Sequence, residues 1–139
     1  MALSIRNRLP GTVTGVNPGE AMATVTVRLA GGQPVTSAIT LDAVRELGLA
    51  EGTSVRALVK STEVSLATAP VHGVSIRNQL AGTVTDVALG PAMARVRIGI
   101  EGGDLTAAIT RDSATELGLA AGTAVTALIK STEIALATE

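Results

Sequence analysis

Alternation of apolar and polar side chains is the most regular pattern along the chain. In residues 22–29 every second side chain is apolar, from Ala23 to Leu29, and the positions between are mostly polar. A period of two predicts a β-strand with one buried face. Alternating or β-branched runs predict four further strands in the first half, over residues 11–17, 35–40, 54–60 and 63–67.

One short helix interrupts these strands. Thr40 is suited to cap its N-terminus, Asp42 lies in its first turn, and Gly48 offers the left-handed residue at which helices commonly end. The second half repeats this pattern from Thr110 to Gly118. Five short strands and one helix in a unit of this size predict a small OB-like barrel.

The chain is a tandem repeat. Ser-Ile-Arg-Asn at 4–7 recurs at 75–78, and Lys-Ser-Thr-Glu at 60–63 recurs at 130–133. Self-similarity at a fixed period indicates a duplicated structural unit. We therefore predict a mainly β fold of two tandem OB-like five-stranded β-barrels, each with one short α-helix. The predicted modules are residues 1–69 and 70–139.

Composition limits the core and the chemistry. The 139 residues include no Phe, Trp, Tyr or Cys, and one histidine, His72. The core must therefore be aliphatic, and disulfides, thiolate nucleophiles and multi-histidine metal sites are excluded. A formal net charge of -1 creates no general attraction to nucleic acid or to an anionic membrane. No apolar run reaches the ~18 residues of a membrane span, and we expect a cytoplasmic protein.

The polar residues retained in both halves are hydrogen-bond donors. Each half has Ser-x-Arg-Asn near its start and Lys-Ser-Thr before its last strand. These groups suit an anion whose oxygens only accept hydrogen bonds. Taken singly, each residue fits an ordinary surface or turn position. Their joint retention, while Arg8 became Gln79 and Arg28 became Gly99, favours an anion site. Met22 and Met93, by contrast, are expected to pack in the core.

Together these motifs resemble the Mop (TOBE) module of the molbindins. The resemblance rests on Ser-x-Arg-Asn, a following Gly-Thr-Val, Ile-Thr before the helix and Lys-Ser-Thr before the last strand, all present twice. It covers nearly the whole chain and is strongest to the two-module molbindins. It implies a homotrimer that binds molybdate or tungstate in the cytoplasm, at subunit and module interfaces. The resemblance further implies a role in storage or homeostasis. It implies no catalysis, no cofactor and no metal bound as a bare ion.

The resemblance also implies a set of ligands. Thr40 and Thr110 would offer backbone N–H groups, and Ser113 lies in a helical turn where the first half has Ala43. The arginines and lysines would neutralise the anion, and the serines would donate to it. Asn7 and Asn78 are included as donors of the repeated motif, independently of the resemblance. The expected oxyanion-binding residues are Ser4, Arg6, Asn7, Thr40, Lys60, Ser61, Ser75, Arg77, Asn78, Thr110, Ser113, Lys130 and Ser131.

Two other functions stay open at this point. An OB fold is compatible with nucleic-acid binding, although such domains rely on aromatic stacking and a basic groove, which this sequence lacks. A regulatory module that acts in trans on a transporter or transcription factor is the second alternative. We expect neither a nucleic acid nor a membrane as partner. The choice between molybdate and tungstate is open, because both are tetrahedral dianions of nearly equal size.

Overall fold

Strands dominate the computed structural model, which describes residues 2–138. The first half contains β1 (Asn7–Pro18), β2 (Met22–Leu29), β3 (Pro34–Thr40), α1 (Leu41–Leu47), β4 (Ser54–Val59) and β5 (Ser65–Ala67). The second half contains β6 (Asn78–Leu89), β7 (Met93–Ile100), β8 (Gly103–Thr110), α2 (Arg111–Glu116), β9 (Ala124–Ile129) and β10 (Ala135–Ala137). Short 3-10 turns follow β4 and β9, at Ser61–Glu63 and Ser131–Glu133. The predicted mainly β fold is confirmed.

Several strand boundaries differ from the predicted ones, most clearly at the start of β1 and around the first 3-10 turn. β1 begins at Asn7 instead of residue 11, because the segment around Pro10 pairs with β4 even though proline has no N–H to donate. The pairing of β1 with β2 starts only at Gly11, and on that side Pro10 contributes just its carbonyl oxygen, which accepts from Ala30 N at 3.0 Å. Lys60 and Glu63 were predicted within strands, but the chain turns there, with Glu63 N donating to Lys60 O at 2.9 Å.

The two five-stranded sheets exchange their last strands. One sheet has the order β10-β4-β1-β2-β3, and the other has the order β5-β9-β6-β7-β8. Leu58 of β4 pairs with Ala135 of β10, and Leu128 of β9 pairs with Ser65 of β5. Each half-barrel therefore takes four strands from one half of the sequence and its fifth from the other. The division at residues 69 and 70 stays a prediction, and the strands cross it.

Aliphatic side chains from both sheets form the core. Val25, Val27, Val96, Ile98 and Leu105 have no exposed surface. They fall on the inward face of alternating strands, as the period of two predicts. The cluster runs without a break from the first sheet to the second. The exchange thus gives two aromatic-free units one shared core, which a unit of about 70 residues needs for stability.

The helix termini follow the predicted caps. The Thr40 Oγ1 accepts a hydrogen bond from Ala43 N at 3.1 Å, and Thr110 Oγ1 accepts from Ser113 N at the same distance. Gly48 adopts a left-handed conformation with φ of 63° at the end of α1. Both helices are a single turn or two in length and pack on β3 and on β8 of their own sheets. No helix within residues 2–138 has the length and apolar character to span a bilayer.

The β2–β3 and β7–β8 turns meet at equivalent glycines. A Cβ placed on Gly31 would overlap the carbonyl oxygen of Glu101, and one placed on Gly102 would lie 2.7 Å from Gly31 N. Gln33 strengthens the junction, because its Oε1 accepts from Ala81 N at 3.0 Å and its Nε2 donates to Ala81 O at 3.3 Å. The two halves therefore contact each other through main chain at this end.

The prediction that Met22 and Met93 pack in the core is wrong. Met22 is 49% exposed and Met93 is 47% exposed, and nearby Leu89 is 51% exposed. Each methionine begins a strand whose inward positions are the following alanine and valines, so the pleat directs the sulfur side chain outward.

Candidate anion-binding site

The first cationic cluster forms where β1 begins and β4 ends. Asn7 pairs with Val59 across these antiparallel strands, so Arg6 and Lys60 leave the same edge of the sheet side by side. Ser61 follows at once in the 3-10 turn. Residues that lie 54 positions apart in sequence (6 and 60) are thus brought together by strand register alone.

The second cationic cluster repeats this arrangement in the other sheet. Asn78 pairs with Ile129, which places Arg77 beside Lys130 at the edge where β6 begins and β9 ends. Ser131 opens the second 3-10 turn. The predicted grouping of Ser-x-Arg-Asn with Lys-Ser-Thr is therefore present in both halves as a spatial juxtaposition.

The four cations of these clusters form no ion pair within the described residues. Among residues 2–138, the side chains of Arg6, Lys60, Arg77 and Lys130 take part in no hydrogen bond or ion pair. All four are exposed. An arginine and a lysine at the same strand ends repel each other unless an anion lies between them, so each pair favours binding of a dianion.

The serine of the first cluster has a free buried hydroxyl. Ser61 Oγ is inaccessible to solvent, and among the described residues it has no hydrogen-bond partner. Such a group costs stability unless a ligand or water satisfies it. Its counterpart Ser131 Oγ accepts a long hydrogen bond of 3.5 Å from Asn78 Nδ2. The first cluster therefore includes a buried hydroxyl without a partner, directly after Lys60 in the chain.

The two asparagines join the halves of the molecule. Asn7 Nδ2 donates to Thr106 O at 2.9 Å while its Oδ1 accepts from Thr106 N at 2.7 Å. Asn78 makes the same pair with the backbone of Thr36, at 2.9 Å and 2.8 Å. Both asparagines are almost fully buried. One Nδ2 hydrogen of each is committed to this contact, and the second hydrogen of Asn78 reaches Ser131 Oγ at 3.5 Å. A role of either asparagine in anion binding stays a prediction.

The helix-capping residues form no hydrogen bond to the cationic clusters in the described part of the chain. Thr40 and Thr110 are exposed and engage their own helices, and no hydrogen bond connects them to the arginines or lysines within residues 2–138. Thr110 Oγ1 also donates to Ser113 Oγ at 2.7 Å. Ser113 lines a cavity of about 250 Å³ together with Thr62 from the other half. Within one chain, the helix-start residues and the strand-end cations therefore share no hydrogen bond, although Ile39, which precedes Thr40, lines the cleft of Lys60.

Two glutamates that the sequence analysis did not single out lie beside the lysines. A cleft of about 230 Å³ is lined by Lys60, Glu63 and Glu133, and a cleft of about 180 Å³ is lined by Lys130 and the same two glutamates. Both carboxylates are half-buried. The signal was present in the repeat, where a glutamate follows Lys-Ser-Thr each time. Its importance depends on the strand exchange, which brings the two 3-10 turns together.

The tandem fold and the repeated donor clusters are those of a known domain family. The TOBE domain family matches residues 3–66 and 74–136 of this chain. The chain therefore belongs to the TOBE domain family and carries the domain twice, as the motifs indicated.

Relatives with known names extend this match. The molybdenum transport protein ModE of Azotobacter vinelandii is 39% identical over 138 residues, covering 99% of this chain and 51% of ModE. The molybdenum-pterin-binding protein MopB of Rhodobacter capsulatus is 42% identical over 136 residues, covering 96% of this chain and 50% of MopB. The chain thus spans about half the length of these curated relatives.

A solved structure matches the chain from end to end. The cytoplasmic molybdate-binding protein ModG, in a form with molybdate bound, superposes with a TM-score of 0.96 at 35% identity. The alignment covers 100% of both chains. The resemblance to two-module molbindins and the tandem OB-like fold are both confirmed by this agreement.

Proposed function

We propose that this protein is a cytoplasmic oxyanion-binding protein that holds molybdate or tungstate for storage or homeostasis and catalyses no reaction. One observation carries the proposal: two equivalent strand-end clusters each present an unpaired arginine and an unpaired lysine beside a serine hydroxyl. The molybdate bound by ModG and the names of ModE and MopB support the choice of ligand.

The chemistry of the clusters matches a tetrahedral dianion. Arg6 and Lys60 together supply two positive charges, and so do Arg77 and Lys130. Oxygens of molybdate and tungstate accept hydrogen bonds but donate none, so a site made of donors satisfies them. Each charge-assisted hydrogen bond contributes roughly 1.5–3 kcal/mol. The buried Ser61 hydroxyl gains the partner that it lacks in the free chain.

Each site is completed by a neighbouring subunit in this proposal. The cations of both clusters are exposed on one chain, and Thr40, Thr110 and Ser113 at the helix starts make no hydrogen bond to them within residues 2–138. A homotrimer in which the helix start of one chain covers the cluster of the next would join the two parts. The exposed Met22, Leu89 and Met93 are apolar surface for such an interface.

Calorimetric titration with molybdate, tungstate and sulfate tests the ligand, and native mass measurement tests the assembly. Molybdate and tungstate should bind with similar affinity. Sulfate should bind at least about tenfold more weakly, because donors spaced for a larger ion lie too far from its oxygens. Equal affinity for sulfate would show that the clusters bind anions in general and do not select for molybdate or tungstate. A particle of 13.9 kDa at micromolar concentration would contradict the trimer.

A further inference from the structure

The segments that precede β1 and β6 carry predicted ligands but belong to no strand. Ser4 and Arg6 lie in the first strap, residues 3–6, and Ser75 and Arg77 lie in the second strap, residues 74–77. Neither strap has the ladder hydrogen bonds that hold a strand in place. Their position must therefore come from other contacts.

Arg8 holds the first strap. It lies in β1 opposite Leu58, and its side chain turns back along the chain. Its Nε donates to Ile5 O at 3.1 Å, and its Nη2 donates to Leu3 O at 3.0 Å. Ile5 is the residue between the two predicted ligands, and its side chain lines the Lys60 cleft. Arg8 thus fixes the main chain on both sides of Ser4.

Gln79 occupies the equivalent position and holds the second strap. Its Nε2 donates to Ile76 O at 3.5 Å and to Val71 O at 2.8 Å, while its Oε1 accepts from Val71 N at 3.1 Å. Ile76 lies between Ser75 and Arg77 and lines the Lys130 cleft. The carbonyl oxygen that Arg8 binds in the first strap is therefore bound by a different side chain in the second.

We propose that Arg8 and Gln79 are positioning residues for the two oxyanion clusters. They act through the straps, which they hold so that Ser4, Arg6, Ser75 and Arg77 face the lysine of their own sheet. A carbonyl oxygen needs only a donor, so arginine and glutamine serve equally well here. The inference rests on the proposed function. It also accounts for a substitution between the repeats that looks like simple surface drift in the sequence.

Three variants of the full chain separate positioning from charge. Arg8→Ala removes both the anchor and one positive charge. Arg8→Gln removes the same charge but keeps donors, as Gln79 does in the second half. Gln79→Ala removes an anchor without changing any charge. Amide ¹⁵N relaxation of Ser4, Ile5 and Arg6 in ligand-free protein reports strap order, and calorimetric titration with molybdate reports the coupled effect on binding.

We expect order parameters of the first strap to fall from about 0.85 to below about 0.6 in Arg8→Ala and to stay high in Arg8→Gln. Molybdate affinity of the first cluster should fall about five- to tenfold in Arg8→Ala and change less than about twofold in Arg8→Gln. Gln79→Ala should loosen the second strap and weaken only the second cluster.

The two readouts distinguish this inference from the proposed function. An unchanged strap in Arg8→Ala would overturn the positioning role even where molybdate binds tightly. Loss of affinity in Arg8→Gln equal to that in Arg8→Ala, with an ordered strap, would assign the effect to charge and also overturn it. If the wild-type protein bound no molybdate, the proposed function would be wrong. The relaxation measurement on the first strap would still show whether Arg8 holds it in place.

Discussion

The two halves of the chain share one backbone plan but differ in how their buried hydroxyls are used. Ser37 of β3 is fully buried, and its Oγ donates to Ile134 O at 2.6 Å, where β8 has Ala107. Ser61 Oγ has no partner among residues 2–138, whereas Ser131 Oγ accepts a hydrogen bond from Asn78 Nδ2. The exchanged strand of the second half is therefore tied more firmly to its host sheet than that of the first half.

Charges outside the clusters have diverged between the halves. Arg28 and Arg56 line an open groove of about 650 Å³ on the outer face of the first sheet. Gly99 and Thr126 stand at the equivalent positions of the second sheet. The arginines and lysines at the strand ends are, by contrast, present in both halves. The diverged arginines are therefore surface charges without a function shared by both halves. The retained arginines and lysines are candidates for a function that both halves share.

The largest expected effect on stability comes from the contact between the β2–β3 and β7–β8 turns. Gly31→Ala would place a Cβ on the backbone carbonyl of Glu101, and a main-chain neighbour has little room to move. We expect a loss of about 3 kcal/mol or more in the free energy of unfolding, measured by urea denaturation.

Gly103→Ala is the matched control for this contact. A Cβ there would meet nothing within 4 Å, and Gly103 is outside the left-handed region. Its effect should stay within about 0.5 kcal/mol. Equal stability of the two variants would show that the halves do not meet at these turns.

A moderate effect is expected where the halves differ in the core. Ser37→Ala copies the residue of the second half and removes the 2.6 Å hydrogen bond to Ile134 O. It leaves a buried carbonyl without this donor, so we expect a loss of about 1–2 kcal/mol. Thermal and urea unfolding measure it. No loss would mean that the two exchanged strands are held equally well.

The smallest change in stability is expected when the Ser61 hydroxyl is removed. Ser61→Ala removes a buried donor that has no partner, so ligand-free stability should stay constant or rise by up to about 1 kcal/mol. Molybdate affinity of the first cluster should nevertheless fall about five- to tenfold. Ser131→Ala, which loses a 3.5 Å hydrogen bond, serves as the comparison. A parallel fall in stability and affinity in Ser61→Ala would indicate a structural role.

Local patterns in the sequence were sufficient to predict most of the fold. Alternation defined β2 with its observed bounds, and Thr40 and Gly48 marked the ends of α1 because capping depends on adjacent residues. The strand exchange was not predictable in this way. The sequences of β5 and β10 are compatible with either sheet. Which sheet each strand joins depends on the direction of the chain after the 3-10 turn that precedes it.

The candidate site was predictable where the repeat supplied a second copy of each residue. Arg6 and Lys60 were predicted as one group because both motifs recur together, and the register of β1 with β4 brings their backbones to the same sheet edge. Their role in anion binding stays a prediction. The contact of Asn7 with Thr106 was missed, since it spans 99 positions and crosses between the halves. Glu63 was missed for the same reason, because its neighbours come from the exchanged turn.

Calorimetric titration of the Lys60→Ala/Lys130→Ala double variant with molybdate tests the central claim most directly. Arg45→Thr, which copies the second half at an exposed helix position, is the control for loss of positive charge. Each single lysine variant should weaken its own cluster about ten- to a hundredfold. The double variant should lose most binding while its melting temperature stays unchanged, because both lysines are exposed. Full stoichiometry and affinity in the double variant would contradict the assignment of the clusters as the oxyanion sites.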